Sequence, residues 1–441
     1  MYRKVTEDLV SFIKKSPTAF HAVAQISAEL KDQGFEELSE GCPWTVVPGG
    51  KYFVTRNGSS IIAFKVGEET GEYNFQITAS HCDSPTFKVK ENSELIVNGR
   101  YTQLDTEGYG GMLCAPWMDR PLSVAGRAIV RSGDSYETRL VNVDRDLVLI
   151  PNVAIHMNRQ ANDGLKYNNQ IDMLPLFSAG PDRKPGAFKA LIAGELGVAE
   201  EDVLGLDLFL YNRMAPAFWG AEEEFVSCSQ LDDLQCAYTS LQGFLKGSNP
   251  RSISVYSCFD NEEVGSRTKQ GAFSTFLYDV LKRVNTALGR DEEGFYRALA
   301  SSFMLSCDNA HAVHPNHPEK TDKVNCVYMN EGIVIKSHAG QSYTSDAVSS
   351  ALFKAICQKA GVPVQFFANR SDERGGGTLG NIAMNQVSMN CVDIGLPQLA
   401  MHSPYETAGI KDSWYMIQAV ETFYNCRLES VGDGNFRILD K

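Results

Sequence analysis

Two adjacent glutamates, Glu262 and Glu263, follow the apolar stretch ISVYSCF at residues 253–259. That stretch is typical of a buried strand, and the string FDNEEVGS begins where the strand would end. Neighbouring carboxylates repel each other, and their removal from water is costly unless a cation or a proton compensates the charge. A solvated turn explains one isolated pair, so a site is indicated only if other suitable residues lie nearby.

Histidine and aspartate side chains follow other apolar runs of the chain. They are His81 and Asp83 after YNFQITAS, Asp308 after SFMLSC, His402 after VSMNCVDIG and LPQLAM, and Asp232 in the string SQLDD. Ligands of open α/β sheets collect outside the carboxyl ends of the strands, so these side chains are expected to meet in one crevice. Two histidines with several carboxylates suit a pair of divalent metal ions, with zinc as the leading candidate and cobalt or manganese as alternatives.

The adjacent glutamates then have separate tasks. In an extended segment successive side chains point in opposite directions, so one carboxylate would bind metal while its neighbour faces a water molecule. The cations would also stabilise the ionised forms of both groups.

Composition narrows the class of protein. The chain has 441 residues, more than one ordinary core holds, and its 43% hydrophobic and 22% charged residues are typical of a soluble globular protein. A net charge of −13 argues against nucleic-acid and anionic-membrane surfaces. Eleven cysteines without CxxC spacing indicate reduced thiols. The first residues lack the apolar core of a signal peptide, so we expect a cytoplasmic protein.

Periodicity predicts a domain that is interrupted by another. Helix and strand patterns alternate in residues 1–91 and again in 229–441, whereas 92–228 is mostly strand-like, with a hairpin at RAIVRSGDSYETRLVNV and strands at LVLIPNVAIHM and DLFLYN. The predicted fold class is therefore α/β. The two outer segments are expected to form one domain around a central, mostly parallel sheet flanked by helices, and residues 92–228 form an inserted, mainly β domain.

The motifs together resemble a known family. The strings ASHCDSP, SQLDDL, FDNEEVGS, SCDNAHAVHPN and QLAMHSP are similar to motifs of the M18 metallopeptidases, the aspartyl aminopeptidase family, and occur in the same order. The resemblance spans nearly the whole chain. It implies a metallopeptidase domain with two metal ions, an inserted dimerisation domain, and removal of single residues from peptides with a free N-terminus.

The resemblance also implies metal ligands: His81 and Asp308 for one ion, Glu263 and His402 for the other, and Asp232 between the two. Asp83 would orient the imidazole of His81. Glu262 would be the general base that takes a proton from the water between the metals and passes it to the leaving amine.

Two further roles come from the resemblance. His156 would reach from the insertion into the partner subunit's active site and stabilise the tetrahedral intermediate. Lys336, in GIVIKSHAGQSY, would lie near the side chain of the substrate. The family pattern further implies dimers that assemble into a dodecamer.

Other interpretations stay open at this point. The string HAVHPNH offers His311, His314 and His317, but Pro315 and Pro318 prevent the regular helix that would align them, so packing or hydrogen bonding around the site is favoured over metal ligation. The loop ERGGGTLG lacks the ending of a P-loop and is expected beside the substrate. A related carboxypeptidase or deacylase, or a non-catalytic scaffold, is the alternative function. A modest preference for N-terminal Asp or Glu is expected, resting mainly on Lys336, and an apolar preference is the alternative that stays open.

Overall fold

Most of the elements that hydrophobic periodicity predicts are present in the structure, a computed structural model that describes residues 1–440. The α-helices are α1 Tyr2–Lys14, α2 Ala19–Asp32, α3 Ala187–Leu196, α4 Leu231–Lys246, α5 Phe276–Ala287, α6 Glu292–Ala300, α7 Ala347–Ala360, α8 Leu379–Ala383 and α9 Asp412–Asn425. Leu9, Phe12 and Ile13 bury one face of α1, as their spacing predicts.

The strands account for most of the remaining regular structure. They are β1 Glu36–Glu37, β2 Lys51–Arg56, β3 Ser60–Val66, β4 Phe75–His81, β5 Thr86–Val97, β6 Tyr101–Tyr109, β7 Leu122–Ser132, β8 Ser135–Asn142, β9 Leu176–Ala179, β10 Val203–Asn212, β11 Ala217–Trp219, β12 Phe225–Cys228, β13 Ile253–Phe259, β14 Phe303–Cys307, β15 Ala310–His311, β16 Ile333–Ser337, β17 Val364–Ala368, β18 Asn390–Gly395, β19 Pro397–Leu399, β20 Glu406–Gly409, β21 Arg427–Gly432 and β22 Asn435–Leu439.

A mixed nine-stranded sheet forms the centre of the molecule, in the order β1-β2-β3-β13-β4-β14-β18-β16-β17. Strands β13, β4, β14 and β18 run parallel to one another. Every residue of β4, β13 and β14 is buried, because separate hydrophobic clusters cover the two faces of the sheet. The predicted α/β class with a mostly parallel central sheet is confirmed.

The carboxyl ends of the three central strands lie side by side. Strand β4 ends at His81, which pairs in register with Phe259 at the end of β13. Strand β14 lies on the other side of β4 and ends at Cys307, directly before Asp308. The parallel registers therefore place the segments after these strands at one edge of the sheet.

A second sheet, in the order β8-β7-β10-β5-β6-β9, encloses its own hydrophobic cluster. The predicted hairpin is β7–β8, with Ser132 opposite Ser135, and DLFLYN forms the end of β10. The prediction of a strand at LVLIPNVAIHM is wrong beyond Ile150. Residues 148–150 make only isolated bridges, and 151–160 contain no strand or helix. Pro151, which has no N–H to donate to a ladder, directly follows the bridged residues.

The strands of the second sheet all lie between Thr86, where β5 begins, and Asn212, where β10 ends. Strand β5 crosses residue 92, and β11 and β12 belong to a third sheet, in the order β11-β12-β20-β19-β15. The division at 92 and 228 stays a prediction. The third sheet pairs β12, which precedes Asp232, with β20, which follows His402.

Two findings bear on the expected surroundings of the protein. All eleven cysteines are free thiols. Within residues 1–440 no helix has both the length and the apolar character that crossing a membrane requires.

Candidate metal centre

The edge of the central sheet gathers the predicted ligands into two overlapping groups. His81, Asp232 and Asp308 form the inner group, and Asp232, Glu263 and His402 form the outer group. Within each group the potential ligand atoms all lie within 4.8 Å of one another. The combination His81, Glu262 and Glu263 meets the same limit, so Glu262 also faces this centre.

Asp232 lies between the two histidines. Its Oδ1 is 3.6 Å from Nε2 of His81, and its Oδ2 is 3.5 Å from Nε2 of His402. Nε2 of His402 is also 3.4 Å from Oε2 of Glu263. One carboxylate therefore presents a separate oxygen to each histidine, an arrangement that suits a carboxylate shared by two cations.

The glutamate pair lies in a 3₁₀ turn, Glu262–Val264, and not in the extended segment that we predicted. Asn261 and Gly265, on either side, have positive φ angles of 63° and 93°, so the chain turns sharply after β13. The alternation argument was wrong, because a tight turn and not a strand separates the two side chains.

Asp83 connects this turn to His81 through hydrogen bonds. Its Oδ1 accepts a hydrogen bond from the backbone N–H of Glu262, and its Oδ2 accepts one from the N–H of Glu263, each at 3.1 Å. Nδ1 of His81 lies 3.1 Å from the Asp83 carbonyl oxygen and 3.4 Å from its Oδ1. Asp83 can therefore hold the imidazole in place, and it also anchors both glutamates.

The centre carries an excess of negative charge. Burial raises the pKa of Glu262 to about 7, and the carboxylates of Asp308 and Asp83 add to the rise. Burial acts to lower the pKa of His402, but the carboxylates of Asp232 and Glu263 raise it to about 10. These carboxylates therefore favour a positive charge among them.

Two carboxylate oxygens of the centre lack a hydrogen-bond partner, which bears on whether the residues fit metal ions. Asp232 Oδ1 and Glu263 Oε1 are buried and accept no hydrogen bond. A buried carboxylate oxygen without a partner is costly, and a divalent cation among histidine nitrogens and carboxylate oxygens would satisfy it. The donor set and its unsatisfied oxygens fit divalent metal ions of the zinc, cobalt and manganese type.

The inserted sheet contributes contacts that the sequence reasoning missed. Nδ1 of His402 lies 2.8 Å from the carbonyl oxygen of Gly111, and the hydroxyl of Tyr109 donates to Asp83 Oδ2 at 2.8 Å. Gly110 has a φ of 75°, and a Cβ there would lie 3.1 Å from Cβ of Glu263. The string GYGG in the insertion was the available signal, because adjacent glycines often mark a close approach of the backbone.

Lys336 lies at the same centre but is buried. Its ammonium donates to the carbonyl oxygens of Asp308 and Asn309 at 2.8 and 3.1 Å, and it is 3.7 Å from Oδ2 of Asp308. Contact with a substrate side chain stays a prediction. The structure shows instead a cation beside a candidate metal ligand.

The remaining histidines, all within the described residues, are members of neither group. His156 is in the exposed segment 151–157 of the inserted region. His311, His314 and His317 line a cavity of about 410 Å³, and within residues 1–440 none of them belongs to a metal-binding cluster.

A mixed α/β sheet with two histidines beside a common carboxylate at one edge is the arrangement of a metal-dependent hydrolase of the α/β class. The chain belongs to the M18 family: the profile described as "Aminopeptidase I zinc metalloprotease (M18)" matches residues 12–424. The predicted metallopeptidase family is confirmed, and the protein is an M18 aminopeptidase.

Individual relatives extend the match over nearly the full length. The chain is 47% identical over 427 residues to a "Probable M18 family aminopeptidase 2" of Clostridium novyi, covering 96% of this chain and 99% of the relative. A cryo-EM structure of the Ape4 and Nbr1 complex has a chain with a TM-score of 0.92 and 34% identity, covering 96% of this chain and 86% of that one. The mApe1 dodecamer of S. cerevisiae superposes with a TM-score of 0.83 at 26% identity, covering 96% and 97% of the two chains.

Proposed function

We propose that this aminopeptidase uses two divalent metal ions, zinc in the first instance, held by the inner and outer groups with Asp232 shared between them. The observation that carries the proposal is the position of Asp232, whose two oxygens lie 3.6 and 3.5 Å from the two histidines. When bound, the ions would supply a Lewis acid for the scissile carbonyl and lower the pKa of a water molecule toward neutrality.

Glu262 is the proton carrier in this proposal. Within residues 1–440 its carboxylate makes no hydrogen bond, while its backbone N–H is held by Asp83 at 3.1 Å. The side chain is thus free to take a proton from the attacking water and return it to the nitrogen of the leaving peptide. Glu263, next to it, has its carboxylate near His402 and serves as a metal ligand.

The adjacent glutamates allow a matched test of these roles. Glu262→Gln keeps the shape of the side chain but cannot accept the proton, so we expect kcat to fall by about 10²–10⁴-fold with both ions retained. Glu263→Gln should instead lose the ion of the outer group. Kinetics and metal analysis on the same preparations decide the matter. If Glu262→Gln loses metal as Glu263→Gln does, Glu262 is a ligand and not the base.

The cavity of about 410 Å³ suggests an acidic N-terminal side chain in the substrate. Its walls include Met401, next to His402, and the basic side chains Lys320 and Arg370. Glu373 of the predicted substrate-side loop ERGGGTLG also lines it and lies 3.6 Å from Lys320. An aspartyl or glutamyl carboxylate could pair with Lys320 and Arg370 in place of their present partners, Glu373 and Asp372, in addition to the predicted but buried Lys336.

Substrate panels test the acidic preference. Aspartyl and leucyl anilides should differ in kcat/KM in favour of the aspartyl compound, and Arg370→Gln should reduce that ratio by about 2–5-fold, the range of a partly exposed ion pair. His317→Gln, which changes an exposed side chain at the same cavity but leaves Lys320 and Arg370 in place, is the control. Faster cleavage of the leucyl anilide by the wild-type protein would contradict the preference.

We further propose that the protein self-associates and that His156 acts on the partner subunit's metal centre. His156 lies among exposed apolar side chains, with Val153, Ile155 and Met157 at 55%, 48% and 83% exposure. Such a run favours contact with another chain over contact with solvent. The dodecameric relative in yeast supports an assembly of the same kind. The free thiols support a reducing compartment such as the cytoplasm.

Mixed dimers test the role of His156. His156→Ala and Glu262→Ala should each be inactive, and co-expression should restore part of the activity, because one centre in each mixed dimer has both residues. His156→Ala co-expressed with the double variant His156→Ala, Glu262→Ala is the control and should stay inactive. Purified mixed dimers that show no activity would place His156 in the centre of its own subunit, or give it a purely structural role.

A further inference from the structure

Glu406 lies between the segments that carry Asp232 and His402. It is the first residue of β20 and is only 2% exposed. Its strand pairs with β12, and Glu406 itself is opposite Cys228, four residues before Asp232. No sequence motif pointed to this residue, which follows the QLAMHSP string.

The carboxylate of Glu406 accepts hydrogen bonds from the backbones of two candidate ligands. Its Oε2 accepts from the N–H of Asp232 at 2.9 Å, and its Oε1 accepts from the N–H of His402 at 2.8 Å. The side chains of the same two residues approach each other at 3.5 Å, between Asp232 Oδ2 and His402 Nε2. One buried side chain therefore sets the separation of two residues of the outer group.

The backbone that Glu406 holds is strained. His402 has a φ of 68° and Ala400 a φ of 56°, both in the left-handed region that non-glycine residues seldom occupy. Such conformations persist when surrounding contacts determine them. The Glu406 hydrogen bond is one such contact, and it keeps the imidazole of His402 directed at Asp232.

A chain of buried amides continues from Glu406 to the inner group. Gln398 donates from Nε2 to Glu406 Oε1 at 3.3 Å and accepts at its Oε1 from Nδ2 of Asn309 at 2.7 Å. Asn309 follows Asp308 directly and also donates to the carbonyl oxygen of Leu231 at 3.0 Å. The three segments that carry Asp232, Asp308 and His402 are thus joined by one hydrogen-bonded network.

We infer that Glu406 is a positioning residue that sets the metal affinity of the outer group, with Gln398 as its support. The inference rests on the two-ion centre proposed above. The two backbone N–H donors explain why a carboxylate is needed: a glutamine would present an NH₂ group to one of them. Outer hydrogen-bond partners of metal ligands typically contribute about 10–100-fold to metal affinity.

Titration of metal-free protein with Co²⁺ tests the inference, with visible absorption and bound-metal analysis as readouts. We expect Glu406→Gln to bind its first Co²⁺ as the wild-type protein does, and its second about 10–100-fold more weakly. The wild-type titration reports on the proposed function by itself, because fewer than two ions there would refute the two-ion centre and not the role of Glu406.

Asp412 provides a matched control at a distance from the metal ligands. It is fully buried and accepts hydrogen bonds from the backbone N–H groups of Asn330 at 2.6 Å and Gly332 at 3.0 Å. Asp412→Asn should lower the melting temperature but leave both Co²⁺ affinities unchanged. If Glu406→Gln behaves like this control, or weakens both ions equally, the inference is overturned.

If Glu406→Gln does not fold, the variant Gln398→Met tests the same inference. Methionine keeps the approximate shape but removes both hydrogen bonds of the amide. We expect a severalfold weaker second Co²⁺, smaller than the effect at Glu406 because only a support is lost. A second Co²⁺ bound as tightly as in the wild-type protein would then refute the network's role.

Discussion

The inner and outer groups share Asp232 but differ in their exposure to solvent. In the inner group His81 has 1% of its side chain exposed and Asp308 11%. In the outer group Glu263 has 5% exposed, but His402 has 33%. The inner group is thus shielded from solvent, whereas one proposed ligand of the outer group, His402, is partly exposed.

The two histidines differ in exposure because they lie in different kinds of segment and their imidazoles contact different partners. His81 is the last residue of a fully buried strand, and its imidazole is held by Asp83, two residues along the chain. His402 lies in a strained turn outside any strand, and its imidazole is held by the carbonyl of Gly111 from the inserted region. The inner group is local to the central sheet, whereas the outer group depends on contacts between distant segments.

Substitution of the shared ligand should remove the distinction between the groups. Asp232→Asn replaces a charge that serves both ions with a neutral amide, so we expect both to be lost on dialysis. The fall in metal affinity should exceed the ~10–100-fold fall that is typical when a hydrogen-bond partner of a metal ligand is removed. Bound metal is measured after dialysis. Two ions per chain remaining on this variant would contradict the shared role.

Single histidine variants should separate the groups. His402→Ala is expected to lose one ion and keep the other, because the three inner ligands are unchanged. His81→Ala should lose the opposite ion and also destabilise the fold, since it empties a position that is 1% exposed. Metal analysis and thermal denaturation on both variants test the contrast. Equal melting temperatures of the two variants would contradict the expectation that the buried His81 contributes more to the stability of the fold than His402.

Tyr109 should affect the reaction more than metal binding. Its hydroxyl donates to Asp83 and accepts from Nδ2 of Asn261, both at 2.8 Å, so it helps to hold the turn that carries Glu262. A hydrogen bond to a charged group contributes about 1.5–3 kcal/mol, and we expect Tyr109→Phe to lower kcat by about tenfold with both ions bound.

Tyr211→Phe is the control for Tyr109→Phe. The Tyr211 hydroxyl donates to Oδ1 of Asn142 at 2.8 Å, within the inserted sheet. This variant should keep the wild-type kcat. Tyr109→Phe could instead lose metal while each remaining metal pair keeps the wild-type kcat. That result would mean that Tyr109 supports the proposed metal ligands and not the turn that carries Glu262.

The smallest expected effect is the order of metal release from the wild-type protein. The ion of the outer group should leave first when a chelator is added, because His402 is partly exposed and His81 is not. Two-phase release, followed by a colorimetric indicator, checks this. Glu406→Gln should speed the first phase alone. A single phase for both ions would show that exposure does not separate the groups.

The ligand candidates were readable from the sequence because each follows a segment that has to be buried. Apolar runs end at His81, before Glu262 and before Asp308, and parallel strands bring such ends together. The family motifs supplied the pairing of these residues into two groups. The prediction of a strand reaching His156 failed, because an apolar run after Ile150 remained exposed instead of entering a sheet.

Glu406 and Tyr109 were not predictable in this way. Their roles come from hydrogen bonds across large sequence separations, 174 residues from Asp232 to Glu406 and 26 from Asp83 to Tyr109. Neither residue follows a buried strand at the edge where the ligands gather. A lone glutamate or tyrosine in the sequence gives no indication of the backbone N–H groups or carboxylate that it will meet.

The sequence by itself determined which residue types stand at the ends of the central strands, and therefore the chemistry that these types can perform. The pattern of apolar residues and the alternation of side chains along a strand are local properties of the sequence, so they can be read directly from residue order. Only the tertiary structure decided that Asp232 presents one oxygen to each histidine and that a single buried glutamate holds the backbones of two proposed ligands. Those relations depend on the register of strands β12 and β20 and on the approach of the insertion to His402, which long-range packing sets.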